Sequence, residues 1–241
     1  MDLLQAIDVR VSRRDYLPEP IAPEYAQQLH NSISQYNAIT GYHFQLIEGD
    51  TGAFGSILRT YGMFRDVCNY IALVGPKQDE NFKEKCGYYG EKIVLEATSY
   101  GLGTCWVGAS YNKNACTCEV LSGEVFNAVI AIGHTDHSVS RREKRVASSS
   151  HSLKNDQKKL FVERDVAPDW FYAGMAAVDK APSAMNKKPA TFYYEKNTVF
   201  AKVKSTHLFN LMDLGIAKLH FELGAGGGQW EWGNGGTFRK T

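Results

Sequence analysis

Apolar and polar positions alternate in two rhythms along this chain, and each rhythm marks a different kind of element. Tyr25, Leu29, Ile33 and Tyr36 recur at three- and four-residue intervals, and so do Tyr89, Ile93, Ala97 and Tyr100. That spacing follows the helical turn and predicts two amphipathic helices. Pro23 stands where a first turn tolerates proline, and Gly101 where a helix ends in left-handed backbone. A third stripe of Leu208, Leu211, Met212, Gly215, Leu219 and Leu223 predicts a long helix closed by Gly224. Asp2 and Gln5 have the spacing of a capping box before a short first helix, and Pro168 opens another over 168–180. Apolar runs too short for helices predict strands at 42–47, 70–74, 127–133 and 191–194. Residues 76–87 read as a charged loop, and 134–159 as a polar, Ser-rich, basic connector. The expectation is an α+β fold, a mixed sheet flanked by helices.

Composition narrows the function classes. A chain of 241 residues can bury one sizeable core or two small ones. A net charge of +1 gives no general affinity for nucleic acid or for a membrane surface, and no nucleic-acid motif is present. The five cysteines (Cys68, Cys86, Cys105, Cys116, Cys118) are odd in number and scattered, which argues against a disulfide framework. Cys116 and Cys118 are too close for a relaxed bridge and lack the companions of a zinc site, and His134, His137 and His151 have no metal-ligand spacing. No apolar run approaches the ~20 residues of a membrane span, and the first residues lack the basic and apolar regions of a signal peptide. A cytoplasmic protein is expected, with no metal, nucleic-acid or membrane partner.

Three stretches carry candidate chemistry. Arg10-Val11-Ser12-Arg13-Arg14 sets three guanidinium forks and a hydroxyl within five residues at a helix end, which suits either a phosphate clamp or a solvated basic turn. Pro182 and Pro189 bracket a polar turn containing Ser183 and Asn186, which is either a ligand loop or an ordinary helix-to-strand connection. Gly101-Leu102-Gly103-Thr104-Cys105-Trp106-Val107-Gly108 allows close backbone approach at its glycines, yet fails as a dinucleotide fingerprint because a helix precedes it. Cys105 has no basic activator beside it in sequence and reads as packing.

All three stretches resemble motifs of one family, the nitroreductase-like flavoproteins. Ala6-Ile7-x-x-Arg10-Val11-Ser12-Arg13-Arg14-x-Tyr16 is similar to its N-terminal FMN motif, A-I-x-x-R-x-S-x-R-x-[FY]. The 101–108 stretch is similar to its G-L-G-T-x-W-x-G segment. Residues 182–189 resemble its P-S-x-x-N-x-Q-P loop, with Lys188 in place of Gln and Ala190 where Trp is frequent. In the family that loop lies near the chain start and reaches a partner subunit's FMN; here it lies near the end. The resemblance implies that Arg10 and Ser12 hold the FMN phosphate and that Arg14 lies by the ring. It implies that backbone N–H groups of Val107, Gly108 and Ala109 approach the flavin, and that Pro182, Ser183, Ala184 and Asn186 meet its edge. A basic pair completing the phosphate clamp falls on Arg142 and Lys144, with Arg145 an alternative register. No catalytic acid or base is assigned.

The chain is most similar to the single-chain TM nitroreductase group. The chain also repeats part of its plan, Leu223-Gly224-Ala225-Gly226 before Trp230 echoing Tyr100-Gly101-Leu102-Gly103 before Trp106, and so reads as a fused pseudo-dimer with an internal pseudo-two-fold: a unit at 1–158 carrying the phosphate motif and a reduced unit at 159–241 carrying the loop. One chain would then suffice to build one FMN site. The implied activity is FMN-dependent electron transfer from NADH or NADPH to a small-molecule acceptor. The alternative is a degenerate member that binds FMN or a nucleotide without turnover, a reading that Lys188 and the shortened second unit keep open.

Overall fold

The computed structural model describes residues 1–151 and 160–241. In chain order the helices are α1 (Leu3–Val9), α2 (Pro23–Thr40), α3 (Ile57–Thr60), α4 (Phe82–Ser99), α5 (Arg141–His151), α6 (Asp169–Lys180) and α7 (Leu208–Gly224). The strands are β1 (Gln45–Ile47), β2 (Asn69–Pro76), β3 (Gly103–Val107), β4 (Glu124–Gly133), β5 (Phe161–Glu163), β6 (Thr191–Glu195), β7 (Thr198–Lys202), β8 (Gln229–Trp230) and β9 (Thr237–Arg239). By contact the chain forms two compact units. The first comprises Met1, Val9–Asp79 and Ile93–Ser149; the second comprises Asp2–Asp8, Glu80–Lys92 and Ser150–Thr241.

The first unit is built on an antiparallel sheet in the order β1-β2-β4-β3. Seven of the eight residues of β2 are buried, so both faces of this central strand are covered. Alternation along the strands sends Tyr70, Ala72 and Val74, Cys105 and Val107, and Val129 and Ala131 into one apolar cluster with Phe54, Phe64 and Tyr111. α2 buries Leu29 and Ile33 and runs along β1.

The second unit holds a mixed sheet in the order β5-β6-β7-β9-β8, with only β5 and β6 parallel. Its core is aromatic: Phe221 stacks on Phe192 at 5.1 Å and meets Phe238 edge-on at 5.1 Å, with Trp230 beside both. Gly87 of α4 and Gly215 of α7 allow these helices to touch backbone to backbone; a Cβ on Gly87 would fall 2.0 Å from the Met212 carbonyl oxygen. Two buried ion pairs cross the same helix contact, Lys218 Nζ to Glu84 at 2.5 Å and His220 Nε2 to Glu91 at 2.9 Å.

The α+β expectation holds, with two sheets rather than one. The expected loop at 76–87 is overturned: α4 begins at Phe82, because Phe82 and Cys86 are buried anchors for its first turns. The expected strand at 42–47 pairs only over β1. The connector at 134–159 contains α5, and 152–159 lies outside the described residues. The capping box is present, Gln5 N donating to Asp2 Oδ1 at 2.7 Å and Asp2 N to Gln5 Oε1 at 3.1 Å. Among the described residues no helix is long and apolar enough to cross a membrane, and no three His, Cys, Asp or Glu side chains group as a metal site.

Candidate functional site

After α1 the chain runs extended beside β3, an edge strand of the first sheet. Ser12 bridges Thr104, Arg13 N donates to Thr104 O at 2.9 Å, and Asp15 bridges Arg65. Extended backbone sends alternate side chains to opposite sides, so Arg10, Ser12 and Arg14 share one side and Val11 and Arg13 the other. The first set converges on Cys105 of β3. Burial pushes the Cys105 thiol up, while the Arg14 and Arg10 charges and a hydrogen bond with Ser12 oppose that rise. Arg14 Cζ also lies 5.1 Å from the centre of the Phe64 ring. Two guanidinium groups and a hydroxyl therefore act on one buried thiol of this strand, with an aromatic ring beside Arg14. That set suits a phosphorylated ligand with a planar ring.

The other side of the segment is its anchor. Arg13 is buried and donates from Nε to Glu143 Oε1 at 2.9 Å, from Nη1 to Thr135 Oγ1 at 2.7 Å and from Nη2 to Ser138 O at 3.2 Å. Glu143, on the first turn of α5, also accepts the amides of Arg14 at 2.7 Å, Asp15 at 3.4 Å and Ser140 at 2.7 Å. Burial alone would raise this carboxyl. The Ser140 amide, the Arg13 guanidinium and the Arg14 amide outweigh it and hold the group at about 2. Arg142 joins the assembly through Asp15, its Nε 3.0 Å from Oδ1, while its Nη1 donates to Gly62 O at 2.5 Å. Lys144 and Arg145 are exposed on α5. Of the expected basic pair, Arg142 reaches the Arg14–Asp15 segment by this route. Glu143 between them was missed. Its one sequence signal is the Ser140-x-x-Glu143 spacing of a helix cap.

A cleft of about 210 Å³ opens on the Val11 and Arg13 side of this segment, lined also by Thr98, Gly103 and Thr135, and Arg10 borders it while Ser12 and Arg14 do not. Val107 closes β3 as a buried residue, and Gly108 and Ala109 follow in a bend. Thr104, the partner of Ser12, and Gly108 are four residues apart along an extended strand, about 13 Å at the usual rise.

In the second unit, Pro182 to Pro189 forms a tight polar loop between α6 and β6. Ala184–Asn186 makes a single 3-10 turn, and Met185, Asn186 and Lys188 all take left-handed backbone, with φ of 53°, 53° and 44°. Two side chains hold the turn. Ser183 Oγ accepts the Lys188 amide at 2.8 Å, and Asp213 of α7 accepts the Ala184 amide at 3.1 Å on each oxygen. Lys188 Nζ lies 3.5 Å from Asp179 Oδ1. Pro182, Ser183, Ala184 and Asn186 are thus together in one half-buried loop.

A sequence model of the family described as "Putative TM nitroreductase" matches residues 2–225. The chain belongs to this family. A putative nitroreductase from Thermotoga maritima MSB8 has a similar fold, with a TM-score of 0.63 and 18% identity over 99% of this chain and 92% of that one. A nitroreductase family protein from Clostridium novyi NT (TM-score 0.45, 19% identity, 57% of this chain and 87% of that one) is a further match. So is a nitroreductase with bound FMN from Desulfitobacterium hafniense DCB-2 (TM-score 0.42, 19% identity, 57% and 92%). No curated protein matches the chain.

Proposed function

We propose that this member of the TM nitroreductase family is an FMN-dependent oxidoreductase that takes electrons from NADH or NADPH and passes them to a small oxidised molecule. The observation that supports it most is the convergence of Arg10, Ser12 and Arg14 on one side of an extended segment. Arg10 and Ser12 hold the phosphate, with Arg142 a further cation for it beyond its contact with Asp15 and exposed Lys144 the weaker candidate. Arg14 lies by the ring, where its charge favours an electron-rich flavin. Val107, Gly108 and Ala109 offer backbone donors at the end of β3, and Pro182, Ser183, Ala184 and Asn186 meet the flavin edge. When bound, FMN supplies the redox chemistry, and the protein supplies binding, orientation and electrostatics.

The test begins with the visible spectrum of purified protein and its bleaching by NADH or NADPH. A bound flavin that neither nucleotide reduces would support binding without turnover instead. Arg10→Ala follows. A hydrogen bond to a charged group contributes about 1.5–3 kcal/mol, so FMN affinity should fall about tenfold to a hundredfold. Unchanged affinity would remove Arg10 from the phosphate site. The expected stoichiometry is one FMN per chain, kept on dilution to monomer. Two flavins extracted per chain would overturn the fused pseudo-dimer, and loss on dilution would require a second subunit.

A further inference from the structure

Two buried carboxylates of this chain have opposite surroundings. Glu143 gathers three backbone amides and a guanidinium. Asp213, 6% exposed, receives one donor among the described residues, the Ala184 amide, bifurcated between its two oxygens. The space beside it is about 10 Å³, lined by Pro182, Ser183, Lys188, Pro189 and Ala217 among others, and is at the lower limit for a single water. A charged carboxylate there is poorly solvated, and opening the loop would hydrate it.

We propose that Asp213 is the positioning residue of the Pro182–Pro189 loop: it holds the loop closed through the Ala184 amide, and because the charged carboxylate gains less from that single amide than it loses in hydration, its ionisation favours opening. Geometry sets the arrangement, with the acid on α7 facing the first amide of a turn in which three non-glycine residues are left-handed. Such backbone persists only where the surroundings hold it. Burial pushes the Asp213 carboxyl up to about 7, with the Ala184 amide opposing. The charged side chain that lines the same space from the loop, Lys188, is engaged with Asp179 of α6; α7 and β6 contribute apolar Ala217 and the adjoining Ala190.

The sign follows from linkage. A group whose value is raised in the closed state and ordinary in the open, hydrated state binds its proton more tightly when closed. Closure is therefore favoured at low pH and weakened as pH rises through about 7. With one proton linked, the opening equilibrium grows about tenfold per pH unit between pH 5 and 7, then levels off above 8.

The role of the loop in flavin binding rests on the function proposed above, so the test reads the loop without flavin. Amide exchange at Ala184, Asn186 and Lys188 is measured in the whole chain from pH 5 to 8, corrected for intrinsic exchange, in wild type and in Asp213→Asn. Asparagine keeps an acceptor oxygen and cannot ionise. The expected result is a steep pH dependence in wild type and a flat profile in the variant. A flat wild-type profile, or the same slope in Asp213→Asn, would overturn the proposal. Asp213→Ser repeats the comparison should Asn disturb the fold, as judged by exchange in β6. FMN titration of Asn186→Ala is run separately. Unchanged affinity there, with the pH-dependent exchange present, would remove the loop from the flavin site and leave the role of Asp213 standing.

Discussion

Replacing Glu143 by Gln isolates the charge that anchors the Arg10–Arg14 segment. The side chain is 2% exposed, so solvent screening is minor, and its carboxyl stands at about 2 against an ordinary 4.5. At 1.36 kcal/mol per pH unit, that difference corresponds to about 3 kcal/mol of stability at neutral pH. The value in the folded chain is depressed, so the contribution is present above about pH 4.5 and is lost as pH falls toward 2. Glu143→Gln keeps the shape and one acceptor oxygen but loses the charge. Exchange at Ile130 and Ala131, buried in β4 of the same unit, reports the free energy of opening that unit. The expected deficit is about 3 kcal/mol at pH 7, shrinking toward zero near pH 2 as the wild-type carboxyl protonates. An equal deficit at both ends would mean that the loss is one of packing, and the electrostatic account would fail.

Two other perturbations probe the cofactor reading and the helix packing. Arg14→Gln should lower the potential of bound flavin by removing positive charge beside the ring while keeping much of the phosphate affinity; a potentiometric titration matching wild type would remove Arg14 from the ring environment. Gly87→Ala should destabilise the chain by about 1–3 kcal/mol despite alanine's better helix propensity, because its Cβ would overlap the Met212 carbonyl at 2.0 Å; a raised melting temperature would show that α4 and α7 can separate at no cost.

Several helices announce themselves by local sequence alone. α2 begins at Pro23 and α7 runs from Leu208 to Gly224, as the stripes of apolar residues predict, and α6 follows Pro168, as that proline predicts. The first turns of α4 escape that reading because Phe82–Lys92 is crowded with charges and has two glycines, which lower helix propensity by themselves. What makes Gly87 favourable there is a helix more than a hundred residues later that needs its missing Cβ, and Lys218 of that helix neutralises Glu84. β7 was missed for a related reason. The turn before it is Lys196-Asn197, both with positive φ, and lacks the glycine that usually signals a two-residue hairpin.

The same limit applies to the candidate site. The two-residue spacing of Arg10, Ser12 and Arg14 already contains their convergence, provided the backbone is extended, and the bridge from Ser12 to Thr104 supplies that condition. The separate fate of Arg13 follows from the same alternation, although composition alone would count it as a third clamp residue. Glu143 and Asp213 lie beyond such reasoning. Each is one carboxylate among the chain's acidic residues, and its character comes from how many donors the fold delivers. Four donors, three of them from more than a hundred residues away, make Glu143 a fixed negative anchor. One amide and almost no room for water make Asp213 an acid that titrates near neutrality. Sequence spacing can therefore nominate groups that share one side of an extended segment. The charge state of the groups behind them is set by long-range hydrogen bonding, which becomes legible only when the chain is folded.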